Sequence, residues 1–363
     1  MLKDEQYIQL TIEIAKKGAG YVSPNPLVGC VIVKNNKIIG AGYHEQYGKN
    51  HAEVNAIQSS KEDVEGATLY VNLEPCCHFG KTPPCVDAII QSKIKRVVIG
   101  TLDMNPLVSG KGIKKLKEAG IEVKAGFLEK ECIELNKFFF KYITKKLPYV
   151  TLKAAQTLDG KIADEKGYSR WISSLDSRKY VHQLRSEYSA VLVGAGTIIK
   201  DKPKLNVRLV EGRNPKRIIV DSNLRLSPDS TIFMENSDKN LIIATLRKNQ
   251  DKKKIEPFLK RNVEFIFTKE CEGRVSLRSL LIEAAKINIT SILVEGGSEI
   301  YTSFVKEKLF DDIYLFITPK LLGSGLPLVG ELGIKSIKNS LKLSIDTIKK
   351  YDDDILLSLS KIK

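Results

Sequence analysis

Between residues 51 and 85 the chain carries His51-Ala52-Glu53, then Glu74-Pro75-Cys76-Cys77, then Pro83-Pro84-Cys85. One imidazole and two thiols at these positions can serve as zinc ligands. A fold that uses them must bring residues distant in sequence to within a few ångströms of one another. Three protein ligands leave one tetrahedral position open, the arrangement of a reactive metal site rather than a purely structural one. A water in that position can ionise near neutral pH. Glu53, two residues from the imidazole and not itself a ligand, is placed to move protons there. Cys77 is a rival to Cys76 as a ligand; Cys76 is preferred because it directly follows Pro75. His78 is a weaker rival and reads as a pocket or supporting residue.

A histidine, a non-ligating glutamate and a Pro-Cys ahead of a second cysteine form the pattern of zinc-dependent base deaminases. One spacing departs from the short form of that pattern. Eight residues separate Cys76 from Cys85, where two are usual. The longer loop need not move the sulfurs apart.

A length of 363 residues suggests two domains. The break falls at Lys145-Lys146-Leu147-Pro148, giving domains 1–147 and 148–363. The N-terminal stretch Met1-Leu2-Lys3-Asp4-Glu5 has acids where an export signal has bases, and no long apolar run follows it. The expectation is a cytoplasmic protein with reduced thiols and no membrane span. Cys30, Cys132 and Cys271 then read as packing residues. The net charge of +15 is spread: residues 1–147 hold 21 Lys+Arg against 16 Asp+Glu, and the remainder 37 against 27. The longest basic cluster, Lys252-Lys253-Lys254, sits between Asp251 and Glu256 and reads as a solvated face. Such a field suits small anionic ligands as well as a polynucleotide. Aromatic residues beside clustered arginines, a single-strand binding cue, are not evident.

Apolar periodicity predicts a helix over 4–17, strands Val28–Val33 and Ile38–Tyr43 joined at Asn35-Asn36, and a helix over 51–59 beginning at the histidine. Strand Thr68–Leu73 delivers Pro75-Cys76 at its end. A helix over 83–92 with proline in its first turn, strand Arg96–Gly100, a helix over 109–119, strand Ile121–Lys124 and a helix over 128–142 follow. This alternation predicts an α/β sandwich around one sheet. In the second half, strands are expected at Tyr149–Gln156, Ala190–Gly194, 216–221, 240–245, 263–267, Ser291–Val294 and 312–318, with closing strands at 341–349 and 353–360. Helices are expected over 175–188, 276–287 and from Ser298 to about 308. Two strand-to-helix turns, Gly194-Ala195-Gly196-Thr197 and Glu295-Gly296-Gly297-Ser298, could cradle a phosphate, though each alone is a common turn. No GxGxxG motif of the Rossmann type opens the second domain. Trp171 could equally be a core residue, and Arg185 and Arg208 could be surface ion-pair residues.

Nearly the whole chain resembles the bifunctional riboflavin-biosynthesis deaminase/reductases. In the first half the resemblance rests on Pro24-Asn25-Pro26-Leu27-Val28-Gly29, Gly42-Tyr43-His44, His51-Ala52-Glu53 and the run Glu74 to Cys85. In the second it rests on Thr151 to Lys161, Trp171-Ile172-Ser173, Val193 to Thr197, Asp201 to Arg208, and Val294-Glu295-Gly296-Gly297. Cys77 and Thr157 stand where serine is frequent in the family; neither change removes a proposed ligand or donor.

The resemblance implies a cytidine-deaminase-like α/β/α sandwich followed by a dihydrofolate-reductase-like α/β domain. It implies zinc on His51, Cys76 and Cys85, with Glu53 as the proton carrier. The pyrimidine falls to Asn25 and His44, and the phosphoribosyl arm to Lys81 and Thr82. In the second domain it implies substrate contacts from Lys153, Ser169, Arg185, Leu205, Arg208 and Glu295. Arg185 and Arg208 would hold the phosphate through bidentate guanidinium pairing. NADPH would meet Ala155, Trp171, Thr197, Asp201, Ser222, Gly297 and Ser298. The implied substrate is a small phosphorylated pyrimidine, without nucleic acid or membrane, and the family favours dimers and tetramers. No 2′-phosphate clamp that would separate NADPH from NADH is legible. Two other readings stay open on the residues alone. One is a deaminase acting on a flipped nucleic-acid base beside an accessory nucleotide-binding domain. The other is a zinc-stabilised binding module.

Overall fold

The computed structural model describes residues 3–362. Met1 and Leu2, at the head of the acidic stretch considered above, and Lys363 lie outside the described residues. The chain divides into two compact units, Met1–Lys146 and Leu147–Lys363.

The first unit begins with α1 (Asp4–Ala15) and the hairpin β1 (Gly29–Lys34) and β2 (Lys37–Tyr43). Asn35 and Asn36 both take positive φ, 50° and 62°, as a two-residue hairpin turn demands. Then come α2 (Ala52–Gln58), β3 (Thr68–Leu73), α3 (Cys85–Gln91), β4 (Arg96–Thr101), α4 (Lys111–Glu118), β5 (Glu122–Ala125), α5 (Glu129–Leu135) and α6 (Lys137–Lys145). The sheet order is β2-β1-β3-β4-β5. β1 is antiparallel to β2 and β3, while β3, β4 and β5 run parallel. Alternate side chains serve opposite faces. Ile32, Val71 and Val97 pack with Ala56, Ile89 and Leu116 from α2, α3 and α4. Val31, Tyr70 and Val98 pack with Ile8, Ile12 and Cys132 from α1 and α5. Both faces are covered, so the middle strands are apolar throughout.

Two details place the site. A Cβ on Gly42 would lie 2.5 Å from the backbone nitrogen of Ala56, so only glycine lets α2 settle this closely on β2. The Pro24–Gly29 stretch is held by two buried asparagines. Asn72 accepts the Gly29 N–H at 2.7 Å and donates to the Leu27 carbonyl at 2.9 Å. Asn136 accepts the Leu27 N–H at 2.7 Å and donates to the same carbonyl at 3.0 Å. Asn136, at φ −107°, divides the helix expected over 128–142 into α5 and α6. The prolines expected inside the first turn of α3 lie before it, with Pro84 as its N-cap in extended conformation.

The second unit comprises β6 (Tyr149–Thr157), β7 (Lys161–Ala163), α7 (Leu175–Glu187), β8 (Ala190–Gly194), α8 (Ala195–Asp201), β9 (Lys216–Val220), α9 (Thr231–Met234), β10 (Leu241–Leu246), α10 (Lys252–Leu259) and β11 (Glu264–Thr268). It continues with β12 (Glu270–Cys271), β13 (Arg274–Val275), α11 (Leu277–Lys286), β14 (Ser291–Val294), α12 (Ser298–Lys306), β15 (Asp312–Thr318), β16 (Leu326–Pro327), β17 (Leu343–Tyr351) and β18 (Asp354–Lys361). The main sheet runs β11-β10-β9-β8-β14-β6-β15-β18-β17. Every neighbouring pair from β11 to β15 is parallel; β18 and β17 add an antiparallel edge. After β6 the chain moves outward through β8 to β11. β14 then returns between β8 and β6, and β15 crosses to the other side of β6. That reversal falls at the carboxyl ends of β8 and β14, beside β6, the kind of switch point at which open α/β sheets bind ligands.

Helices α8, α9 and α10 were not legible in the sequence. α8 follows β8 without a break, and α9 is a single turn. The lysine cluster 252–254 is solvated as expected, but it forms the first turn of α10, capped by Asp251 accepting the Lys253 N–H. Cys30 and Cys132 are buried, whereas Cys271 is exposed on the two-residue strand β12 and packs no core. Trp171 is 62 % exposed and is no core residue either. Among the described residues no helix is long and apolar enough to cross a membrane.

Replacing Asn72 by alanine strips the buried Gly29 N–H of its partner and leaves the Leu27 carbonyl to Asn136 alone. It is expected to destabilise the first unit by about 1–3 kcal/mol. Urea titration followed by amide exchange in β1 and β3 measures this, and a loss below about 1 kcal/mol would show that the asparagine is dispensable.

Candidate active sites

In the first unit, the end of β3 and the starts of α2 and α3 converge. His51 caps α2 in extended conformation, and Cys85 opens α3. The ligand atoms of His51, Cys76 and Cys85 all lie within 4.8 Å of one another. His51 turns Nδ1 toward both sulfurs, 3.5 Å from Cys76 and 3.3 Å from Cys85. All the cysteines are free thiols. The Cys85 backbone N–H points at the Cys76 sulfur at 3.3 Å. Hydrogen bonding from Cys85, helped by His51, holds the Cys76 thiol down to about 4. The same contact, with burial, pushes Cys85 up. A ready thiolate, a second sulfur and an imidazole nitrogen at this spacing fit zinc.

Glu53, one position into α2, is 3 % exposed. Burial raises its pKa, and the neighbouring Cys76 adds to the effect. Cys77 is not part of the cluster: its sulfur faces the Leu107 carbonyl, 3.9 Å away. His78 also stands apart, its Nδ1 buried without a hydrogen-bond partner among the described residues. His44 donates from Nδ1 to the Asn50 carbonyl at 2.9 Å, which leaves Nε2 to accept from Asn25 at 3.1 Å. Burial lowers its pKa. The His44 and His51 rings meet edge to face at 5.1 Å, so His44, with Asn25 bonded to it, lies beside the His51, Cys76 and Cys85 donors. Thr82 lies 3.4 Å from His51 Nε2, against the ligand imidazole rather than out along the loop. Lys81 is exposed, its ammonium 4.1 Å from the centre of the Tyr47 ring. Glu74, missed in the sequence, is a buried anchor. Its carboxylate accepts backbone N–H groups of Asp103, Gly110, Gly112 and Ile113, tying the loop after β4 to the residue before Pro75-Cys76.

In the second unit, Glu295 follows β14 and Arg185 ends α7. They form a two-pronged ion pair, Nε to Oε1 at 2.6 Å and Nη2 to Oε2 at 2.9 Å, with side chains 5 % and 11 % exposed. Burial alone would raise Glu295, but Arg185 first and Lys153 after it hold the carboxyl below its ordinary value. Lys153, on β6, stands 3.9 Å from the same carboxylate, and burial lowers its pKa. The fork of Arg185 is thus already filled and cannot also clasp a phosphate two-pronged; Arg208 keeps its fork largely free. Arg208 Nη1 meets Asn206 Oδ1 at 3.1 Å, and Arg185 Nη1 donates to the Asn206 carbonyl at 3.1 Å. Leu205 is buried and takes φ +54°, so its side chain anchors the loop. Ser169 is partly exposed in the loop after β7. Asn206 and His182 belong to this cluster and were missed in the sequence. The spacing His182-Gln183-Leu184-Arg185 within a helix was the available signal, since it puts both side chains on one face.

The two glycine turns sit side by side. A Cβ on Gly296 would lie 2.8 Å from Val193, and one on Gly297 would lie 3.3 Å from the Thr197 hydroxyl. Gly297 also takes φ +70°. The turn after β14 is therefore packed against Val193 and Thr197 as only glycine allows, and Ser298 opens α12 there. A strand-to-helix turn at the carboxyl ends of parallel strands fits a dinucleotide. Ala155 lies on β6. Trp171 is exposed, with the Arg178 guanidinium 4.3 Å from its ring centre and the Lys320 ammonium on its carbonyl at 2.9 Å. The Asp201 carbonyl accepts from Arg170, and burial raises its carboxyl. Ser222, just past β9, uses its hydroxyl to accept the Val275 N–H at 3.0 Å.

Residues 1–101 match the family described as the cytidine and deoxycytidylate deaminase zinc-binding region, and residues 148–357 match the RibD C-terminal domain. The two units are thus a zinc-dependent deaminase domain and a reductase domain. The riboflavin biosynthesis protein RibD of Aquifex aeolicus is 48% identical over 355 residues, spanning 98% of this chain and 97% of that protein. That of Escherichia coli is 35% identical over 372 residues, spanning 99% of each. A Thermotoga maritima crystal structure, described as a diaminohydroxyphosphoribosylaminopyrimidine deaminase/5-amino-6-(5-phosphoribosylamino)uracil reductase, matches at 43% identity and a TM-score of 0.89 over 99% of both chains. The chain belongs to the RibD family of bifunctional riboflavin-biosynthesis enzymes, with zinc and NADPH as cofactors.

Replacing Glu295 by alanine leaves the Arg185 guanidinium buried without its counter-charge. The second unit is expected to lose about 3–5 kcal/mol. Since Glu295 is held below its ordinary 4.5, the pair's contribution is complete above that pH. It fades as the pH falls through the depressed value. Urea titrations of both proteins across acid pH should therefore converge; a constant gap would refute the ion-pair account.

Proposed function

We propose that the first unit removes the 2-amino group of 2,5-diamino-6-(5-phosphoribosylamino)pyrimidin-4(3H)-one by hydrolysis. The second unit then reduces the ribosyl side chain with NADPH to give 5-amino-6-(5-phosphoribitylamino)uracil. The observation that carries the first step is the convergence of the His51, Cys76 and Cys85 donor atoms within 4.8 Å, beside the buried carboxyl of Glu53. Zinc on these three residues supplies a Lewis acid that makes a water acidic near neutral pH. Glu53 takes the proton from the attacking water and delivers protons to the ring nitrogen and the departing ammonia. The carbon–nitrogen bond breaks as the carbon–oxygen bond forms, so water is consumed and ammonia released. Asn25 and His44 hold the pyrimidine edge, and their mutual hydrogen bond fixes both orientations. Thr82 orients the ligand imidazole through its free nitrogen. Lys81, exposed on the loop between the cysteines, meets the phosphoribosyl arm.

In the second unit, NADPH supplies the hydride. The turn at Gly296 and Gly297, with Thr197 beside it, receives the dinucleotide. Ala155, Trp171, Asp201, Ser222 and Ser298 complete its walls. Lys153 and the Arg185–Glu295 pair face the sugar. Arg208, with its fork open, holds the phosphate, aided by Ser169 and the backbone at Leu205. We place the enzyme in the cytoplasm as a homo-oligomer that binds no nucleic acid; the interspersed acids and bases of the sequence support the last of these.

Glu53→Gln is expected to retain one zinc per chain and its fold, yet to lose deamination by about 100-fold or more. Metal analysis beside an ammonia-release assay checks this; retained deamination would remove Glu53 from the proton path. Cys76→Ser is expected to lose zinc, whereas Cys77→Ser keeps it. Arg208→Ala should raise KM for the sugar-phosphate substrate about 10-fold or more, with NADPH affinity unchanged. Equal effects on both ligands would place the phosphate elsewhere.

A further inference from the structure

His182 lies on α7 one turn before Arg185 and is 3 % exposed. Its Nδ1 accepts the backbone N–H of Arg208 at 3.1 Å. A backbone amide can only donate, so Nδ1 carries no proton. Burial, reinforced by Arg185 and Arg208, holds the ring down to about 4. At neutral pH the imidazole therefore has a single N–H, on Nε2. The hydrogen-bonding neighbour of Nε2 among the described residues is Arg185 Nη1, 3.5 Å away. That atom is itself a donor, with one proton directed to the Asn206 carbonyl. Two N–H groups facing each other satisfy neither; both await a common acceptor.

The charged groups around the imidazole favour an anionic acceptor. Arg185, Arg208 and Lys153 are cationic, and the nearby carboxylate of Glu295 is already engaged by Arg185. We propose that the Nε2–H of His182 donates to an oxygen of the substrate's sugar phosphate beside Arg185 Nη1, while Nδ1 holds the backbone of Arg208 in place. This rests on the reading that Arg208 holds the phosphate. His182 thereby joins two jobs in one ring: it binds the anion and positions the arginine that binds it.

The chain has four histidines, and His182 is the only one beyond residue 147. Its ring resonances can therefore be assigned in zinc-loaded, full-length protein labelled with ¹⁵N-histidine by their loss in His182→Gln. The expected result is an Nε2-protonated tautomer whose Nε2–H resonance shifts on adding ribose 5-phosphate but not ribose. His182→Leu, which removes both hydrogen bonds, should raise KM for the substrate about 10- to 100-fold, with kcat changed less than about threefold. His182→Gln, which can accept and donate, should recover most of that loss. An Nδ1-protonated ring overturns the proposal. So does a silent Nε2–H when calorimetry shows ribose 5-phosphate bound, and in that case the assignment of Arg208 stands. If ribose 5-phosphate does not bind and Arg208→Ala leaves the substrate KM unchanged, the phosphate placement falls and His182 falls with it.

Discussion

Parallel strands all finish at one edge of their sheet, and this constraint governs both sites. In the first unit β3 ends at Leu73 and hands over Glu74-Pro75-Cys76, while neighbouring β4 ends beside the loop that Glu74 secures. In the second, β8 and β14 end close together beside β6, which runs on to Thr157, and this brings Thr197, Glu295 and the glycine turns together. Hydrogen-bonded registry does the positioning, since Val294 pairs with both Leu192 and Leu152. Side chains far apart in sequence need no long-range attraction of their own to meet there. The apolar strands supply the free energy of assembly, and the polar residues are carried to the rim.

The polar groups then have to be reconciled with burial, and the two units do so differently. In the first, Glu74 is surrounded by four backbone N–H groups, so a buried charge is balanced without any cation. In the second, Glu295 is balanced by a guanidinium and a nearby ammonium. Backbone donors cannot be lost by mutation of their own side chains, whereas Arg185 and Lys153 can. The charge balance of the second site is therefore the more fragile against substitution.

The sequence revealed the converging donor residues His51, Cys76 and Cys85 and the strand framework because both are written in local patterns: residue spacing in one case, unbroken apolar runs in the other. Thr68–Leu73 and Ala190–Gly194 coincide with their expected limits for that reason. What stayed hidden depends on partners. Nothing local shows that Asn136 is drawn to Leu27 and so splits a helix. Nothing local shows that the Arg185 fork is filled by a residue 110 positions away. His182 and Asn206 were overlooked because their hydrogen bonds join a helix to a loop: His182 accepts the Arg208 N–H, and the Asn206 carbonyl accepts from Arg185. The helices α8 and α10 were missed where turn-like glycines and a run of charge masked the period.

Gly42 touches no ligand and carries no chemistry, yet its missing side chain sets the distance between α2 and β2, and so the height at which His51 meets the two sulfurs. Mutational tolerance and chemical role come apart at such a place. In a survey of every substitution along the chain, position 42 should look as forbidding as a metal ligand. The reason would be volume rather than reactivity, and the backbone nitrogen of Ala56 cannot retreat as a flexible side chain could. Intolerance to change at one site thus records the thickness of the space between two elements.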